Sequence, residues 1–191
     1  MRRMRIATAL CAALLSAALP RAAGAAGGFT ADPGSSRLEF TGVQAGAEFK
    51  GIFHKFTAAI DFAPEALAAA KFDVVIDMSS EDTMDKDRDG TIRGADIFDV
   101  AHFPTAHYVT RSFAKTATGY TALGSLTLRG VTKDLPIAFK FSPAGAGGAT
   151  LSGTAELKRL DFGVGRGDWK STEWVADVVK VAFTLNLKPA L

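Results

Sequence analysis

The chain has 191 residues, 22 lysines and arginines against 20 aspartates and glutamates, and a single cysteine. Four of the basic residues (Arg2, Arg3, Arg5, Arg21) lie in an N-terminal stretch ordered like a secretory signal: a basic start, an apolar run over 6–19, then Ala23-Gly24-Ala25. Removing residues 1–25 leaves 18 basic against 20 acidic residues and takes Cys11 away. What remains has no basic stripe for nucleic acid, and no thiol for disulfides, nucleophilic chemistry or a cysteine metal site.

The apolar run is shorter than the ~20 residues that span a bilayer, so it reads as a cleaved signal for Sec export and places the protein in the periplasm. Residues 26–191 are then one domain, long enough for a substantial core.

From there the pattern is one of short alternating runs. Residues 37–41 alternate, and Phe56, Ala58, Ile60 and Phe62 share one face. Phe72, Val74, Ile76 and Met78 form the next stripe. Strands follow over 106–115, 120–129, 135–142, 149–161 and 177–188, with Ile137, Phe139 and Phe141 on one face and Val179, Val181, Phe183, Leu185 and Leu187 on another. Period-2 patterning with one apolar face marks half-buried antiparallel strands, and eight or nine in succession indicate an all-β closed barrel or sandwich. Phe49, Gly51 and Phe53 fall on odd positions whereas Phe56 to Phe62 fall on even ones. Either a bulge or a tight hairpin at His54-Lys55 accounts for that shift. One short helix is expected over 64–70, which opens with Pro and continues in good helix formers, and a second within 90–99.

The acidic run at 85–96 has calcium-loop spacing: Asp85, Asp87 and Asp89 at positions 1, 3 and 5, Gly90 at 6 and Asp96 at 12. Position 12 lacks the bidentate Glu, Arg93 occupies position 9, and no entering helix precedes it. A solvated acidic loop is the preferred reading, and a calcium-binding structural domain on Asp85, Asp87, Asp89 and Asp96 the alternative. The three histidines, His54, His102 and His107, form no metal-ligand spacing. No Gly-x-Ser-x-Gly elbow occurs, and Gly163-Val164-Gly165-Arg166-Gly167 lacks the βαβ context of a phosphate loop. No catalytic residue is therefore nominated, and no cofactor is expected.

Fourteen phenylalanines against two tyrosines load the apolar stripes. An eight-stranded barrel either fills its interior with side chains or encloses a ligand. Small residues beside large ones (Ala58 by Ile60, Gly51 by Phe53, Gly124 by Leu126) are compatible with a cavity. The residues that strand parity places in such a cavity are Phe40, Phe49, Phe53, Ile60, Phe62, Val74, Ile76, Leu126, Leu128, Ile137, Phe139, Val181 and Phe183. Their character selects an apolar guest.

Several landmarks then occur in a fixed order: Asp32, Phe40, Phe49-Lys50-Gly51-Ile52-Phe53 with Phe56, Arg88-Asp89-Gly90-Thr91, Asp96-Ile97-Phe98-Asp99, Phe103-Pro104, the run at 124–133, and Arg159-Leu160-Asp161-Phe162-Gly163. On these the chain resembles the YceI-like family of bacterial polyisoprenoid-binding proteins, most specifically over 88–104 and 124–133. The resemblance implies an eight-stranded antiparallel, lipocalin-like barrel with one or two short helices closing it. It also implies a tunnel holding a polyisoprenoid, such as an isoprenoid quinone or its precursor, and association with an inner-membrane b-type cytochrome. The chain departs from many members after the first strand: they have histidine in a Val-x-His context, whereas here Val43 is followed by Gln44. The resulting expectation is a periplasmic, non-enzymatic lipid carrier, monomeric or homodimeric.

Overall fold

The computed structural model describes residues 28–190, so the expected signal at 1–25 lies outside the described residues. Eleven strand segments follow one another: β1 (Gly28–Ala31), β2 (Arg37–Gln44), β3 (Ala47–Phe53), β4 (Phe56–Asp61), β5 (Lys71–Asp77), β6 (Glu81–Asp82), β7 (Thr105–Lys115), β8 (Tyr120–Leu128), β9 (Val131–Pro143), β10 (Ala149–Lys158) and β11 (Val178–Pro189). One α-helix, α1 (Lys86–Arg93), lies between β6 and β7. All pairings are antiparallel. The ring β1-β4-β5-β7-β8-β9-β10-β11 closes through β1 on β11. Strands β2, β3 and β6 prolong β1, β4 and β5, because β11 is long enough to pair with β1 (Phe29 opposite Pro189) and then with β2 (Phe40 opposite Val181). The result is an eight-stranded antiparallel barrel in which three strands are kinked. Closure removes the free edges that an open sheet presents.

The phase shift at His54-Lys55 is a bulge rather than a hairpin. Strand β3 pairs with β2 and β6, β4 pairs with β1 and β5, and both run in the same direction. The extra residue lets Phe53 and Phe56 both face inward. Two-residue turns at Ala45-Gly46 (φ 52 and 77) and Arg129-Gly130 (φ 50 and 74) have positive φ at both central positions. That geometry matches the twist of the strands they join.

Both helix expectations need correction. Residues 64–70 form only a single 3-10 turn, Leu67–Ala69, with no side-chain cap. The segment has no room for more before β5 begins at Lys71, and so short a helix lacks the hydrogen bonds to offset its nucleation. The second helix starts earlier than expected, because Asp85 Oδ1 accepts from the backbone N–H groups of Asp87 and Arg88 and so acts as N-cap. Gly94 ends it. Strand β10 stops at Lys158 instead of running to 161, since 159–162 turns away as a 3-10 segment.

Two largely irregular stretches, 83–104 (with α1) and 159–177, cover one end of the barrel, and three arginines, two of them buried, hold them. Arg129, with a side chain 1% exposed, donates to the carbonyls of Ala95 and Ile97. Arg159 donates to Val164 O (2.9 Å), Val175 O (2.8 Å), Ala176 O (3.1 Å) and Ser171 O (3.4 Å). Arg93 faces the fully buried Glu81 carboxylate at 2.8 Å and donates to Glu81 O. Asp96 O accepts from Gly165 and Arg166, which ties the two stretches to each other.

Inside the wall, aromatic rings occupy the space above inward glycines. A Cβ on Gly42 would sit 2.7 Å from the Phe49 ring, and one on Gly124 would sit 2.5 Å from the Tyr108 ring. Gly51 and Phe40 are cross-strand partners and closer still. These glycines are seats for rings, which refines their reading as cavity-forming gaps.

Two outcomes test this construction. Gly51→Ala forces the Phe40 ring inward and should cost about 1–3 kcal/mol in denaturant unfolding, with part recovered in the Gly51→Ala/Phe40→Leu double variant. Arg159→Met leaves four carbonyls without their donor and should destabilise by about 3 kcal/mol or more. Amide hydrogen exchange should then accelerate across 163–176 and stay slow in β8 and β9. Unchanged exchange in 163–176 would remove the holding role assigned to Arg159.

Candidate ligand-binding cavity

The barrel encloses a cavity of about 220 Å³. Its wall takes the inward residues of β2 to β5 and β7 to β11, and Ile92 of α1 with Ile97 and Phe98 lies over the top. Two polar groups contribute to an otherwise apolar surface. The Tyr108 hydroxyl donates to Leu135 O at 3.0 Å, and burial pushes its phenol well above the ordinary value, so it stays protonated. Arg159 has four of its five donors committed to carbonyls, and burial pulls its guanidinium below the ordinary value without neutralising it.

Eleven of the thirteen residues placed inward by strand parity line this cavity: Phe40, Phe49, Phe53, Ile60, Val74, Ile76, Leu126, Leu128, Ile137, Val181 and Phe183. Phe62 and Phe139 do not, which corrects their expected placement. Both point inward but lie deeper, in a ring cluster that fills the end of the barrel opposite the cap. Phe62 is its hub, with ring centroids 5.0 Å from Tyr120, 5.2 Å from Phe139, 5.0 Å from Phe141 and 5.9 Å from Phe113. Phe72 belongs to both, touching Phe113 at 4.8 Å and Phe139 at 5.2 Å while also lining the cavity.

Sequence reasoning missed several lining residues. Phe56 shares the stripe of Ile60 and could have been included. Tyr108, on the face of Ala106 in β7, could have been found by the same parity. Ile97 and Phe98 carry no such signal, because they sit in an irregular stretch with no period to read.

At the capped end a shallower recess adjoins the cavity and shares Phe49, Ile92, Ile97 and Val175 with it. Gln44, Asp85, Asp87, Arg88, Thr91 and Trp169 complete the recess. The Arg88 guanidinium lies 4.7 Å from the centroid of the Phe49 ring, within cation–π range, and 3.6 Å from Asp85. The backbone N–H of Arg88 and then the Arg88 charge hold the Asp85 carboxyl below the usual range.

The four calcium-template residues are not brought to one point. Asp85 caps α1, and Asp87 lies exposed in its first turn. Asp89 is buried and accepts from the Thr83 N–H (2.9 Å) and hydroxyl (2.6 Å). Asp96 contributes its backbone oxygen to the cap. Among the described residues, no three or more His, Cys, Asp or Glu side chains gather as metal ligands would. The histidines pair with separate aspartates: His54 with Asp82, His102 with Asp99, and His107 with Asp73.

Comparison with known proteins follows the same lines. The chain is similar to a UPF0312 protein of Vibrio vulnificus (strain YJ016), 35% identical in an alignment of 172 positions that covers 86% of this chain and 89% of the relative. Among solved structures it is similar to BcnA of Burkholderia cenocepacia, with a TM-score of 0.77 and 32% identity over 82% of this chain and 98% of that one. A polyisoprenoid binding domain from Saccharophagus degradans shares the fold, with a TM-score of 0.68 and 18% identity over 85% of this chain and 98% of that one. The YceI-like domain family matches residues 29–187, from β1 to near the end of β11. The chain belongs to the YceI-like family.

Proposed function

We propose that this protein binds a polyisoprenoid, an isoprenoid quinone or its precursor, in the barrel cavity and carries it without transforming it. The observation that carries this reading is the cavity itself: closed by rings at one end, capped by α1 at the other, and lined almost wholly by apolar groups. Family membership supports it, and the Saccharophagus degradans domain, which is named for polyisoprenoid binding, has the same fold. Each methylene moved from water into such a cavity contributes about 0.8 kcal/mol, so a long branched chain gains far more than a small metabolite.

Orientation follows from the asymmetry of the ends. The ring cluster offers no charge and, besides the Tyr120 hydroxyl, nothing polar, whereas the recess at the cap presents Gln44, Asp85, Asp87, Arg88 and Thr91. The tail therefore goes toward the rings and the head group stays at the cap. A pinned, protonated tyrosine and a charged arginine offer neither a base nor a nucleophile, which supports binding without catalysis. Export through residues 1–25 places this carrier in the periplasm, as a monomer or homodimer, where an inner-membrane b-type cytochrome is the partner for a quinone-related role.

Native mass spectrometry of protein purified from a bacterial periplasm should show a bound hydrophobe, identifiable after lipid extraction as an isoprenoid. Ligand-free protein in repeated preparations, together with no displacement of an apolar fluorescent probe by prenyl alcohols, would sink the proposal.

A further inference from the structure

The cluster at the closed end does more than the core of a barrel requires. Its rings come from the residue just after β4 (Phe62), β5 (Phe72), β7 (Phe113), β8 (Tyr120) and β9 (Phe139, Phe141), so they cross the lumen from one wall to the other. The strand wall at this level carries small inward residues on β8 and β10. Ala122 lies between Phe113 and Ile137 in the cross-strand pairing and is 1% exposed, yet has only a methyl group to offer. Gly153, opposite Phe139 in β10, has no side chain of its own, and the Phe183 ring of β11 lies over it. The rings, not the strands, therefore end the cavity.

The boundary is sharp along single strands. On β9, Leu135 and Ile137 line the cavity, and Phe139, the next inward residue, does not. On β11, Val179, Val181, Phe183 and Leu185 line it, and Leu187 does not. Phe62, Phe72 and Phe139 are at most 4% exposed and meet one another at 5.2–6.0 Å with interplanar angles of 55–77°. Edge-to-face rings at these distances are held by their neighbours and give little room to swing aside.

We propose that this cluster is a length stop: Phe72 and Phe139 set the deepest point an isoprenoid tail reaches and so the longest chain the protein accommodates. The inference rests on the isoprenoid reading of the cavity. Beyond Ile137, two inward rungs of β9 are filled by Phe139 and Phe141, about 13 Å along the strand. At the usual strand tilt of about 35–45° this is about 10 Å on the barrel axis, or about two isoprene units of lumen held shut.

The test is a competition series, with prenyl alcohols of increasing length from farnesol upward displacing an apolar fluorescent probe. The wild-type protein should tighten with each added unit, then lose affinity past an optimum. Phe139→Ala should move that optimum to longer chains, because deleting a buried ring leaves an apolar void continuous with the cavity. Ile137→Phe raises the stop by one rung and should shift the optimum to shorter chains, weakening the wild-type optimum roughly tenfold, since a few methylenes return to water. Ile137→Phe decides the matter if Phe139→Ala fails to fold. Identical length profiles in wild-type and folded variants overturn the length stop while leaving the carrier reading intact. A wild-type protein that binds no member of the series overturns the carrier reading itself.

Discussion

A closed barrel can keep an apolar lumen only if irregular backbone crossing its end finds hydrogen bonds without water. The requirement is severe here, because both covering stretches lie against hydrophobic side chains, and each unpaired buried carbonyl costs on the order of 1–3 kcal/mol. Arginine meets it. Its planar fork presents five donors, so Arg159 alone serves four carbonyls and Arg129 two. Lysine, with three donors on one atom, could not reach carbonyls spread from Val164 to Ala176. Burying the charge is costly, and what offsets it is the set of carbonyl dipoles, with Asp99 lying 3.6 Å from Arg129. The cap, the recess beside it and the enclosure of the lumen all depend on these two residues.

Carbonyl partners leave no trace in a sequence, which is why these arginines were not nominated although both stand in family-like blocks. The strands were legible for the opposite reason. Alternation is written in side chains, so the faces of β4, β5, β9 and β11 could be read residue by residue. Depth could not. Parity put Ile137 and Phe139 on one face correctly, yet whether a rung is open or filled depends on the stagger of neighbouring strands. The phase shift at 54–55 has the same character: the shift is local, but its resolution as a bulge depends on β1, β2, β5 and β6.

The acidic run shows how one spacing serves two structures. Aspartates at every second position suit a calcium loop, but the first of them here caps a helix and the third is turned toward Thr83. Once Asp85 accepts from two backbone N–H groups, the chain after it is helical and the carboxylates are fanned around an axis rather than gathered at a point. The resulting helix is polar apart from Ile92, which enters the lumen ceiling, and a single apolar residue gave periodicity analysis nothing to detect.

The inward glycines explain how a barrel so rich in phenylalanine is not filled by it. Phe40, Phe49, Tyr108 and Phe183 each occupy the space over a glycine, at Gly51, Gly42, Gly124 and Gly153. A ring seated on a glycine spends its width against the wall and leaves the axis clear. At the closed end, Phe62, Phe72 and Phe139 pack on one another and take the axis. One residue type therefore builds both the open and the shut parts of the lumen, and the backbone glycines decide which part is which. A guest with one polar end meets rings below and charged groups above. The free-energy difference between its two orientations is then set by the head group, which keeps its hydrogen bonds only at the cap.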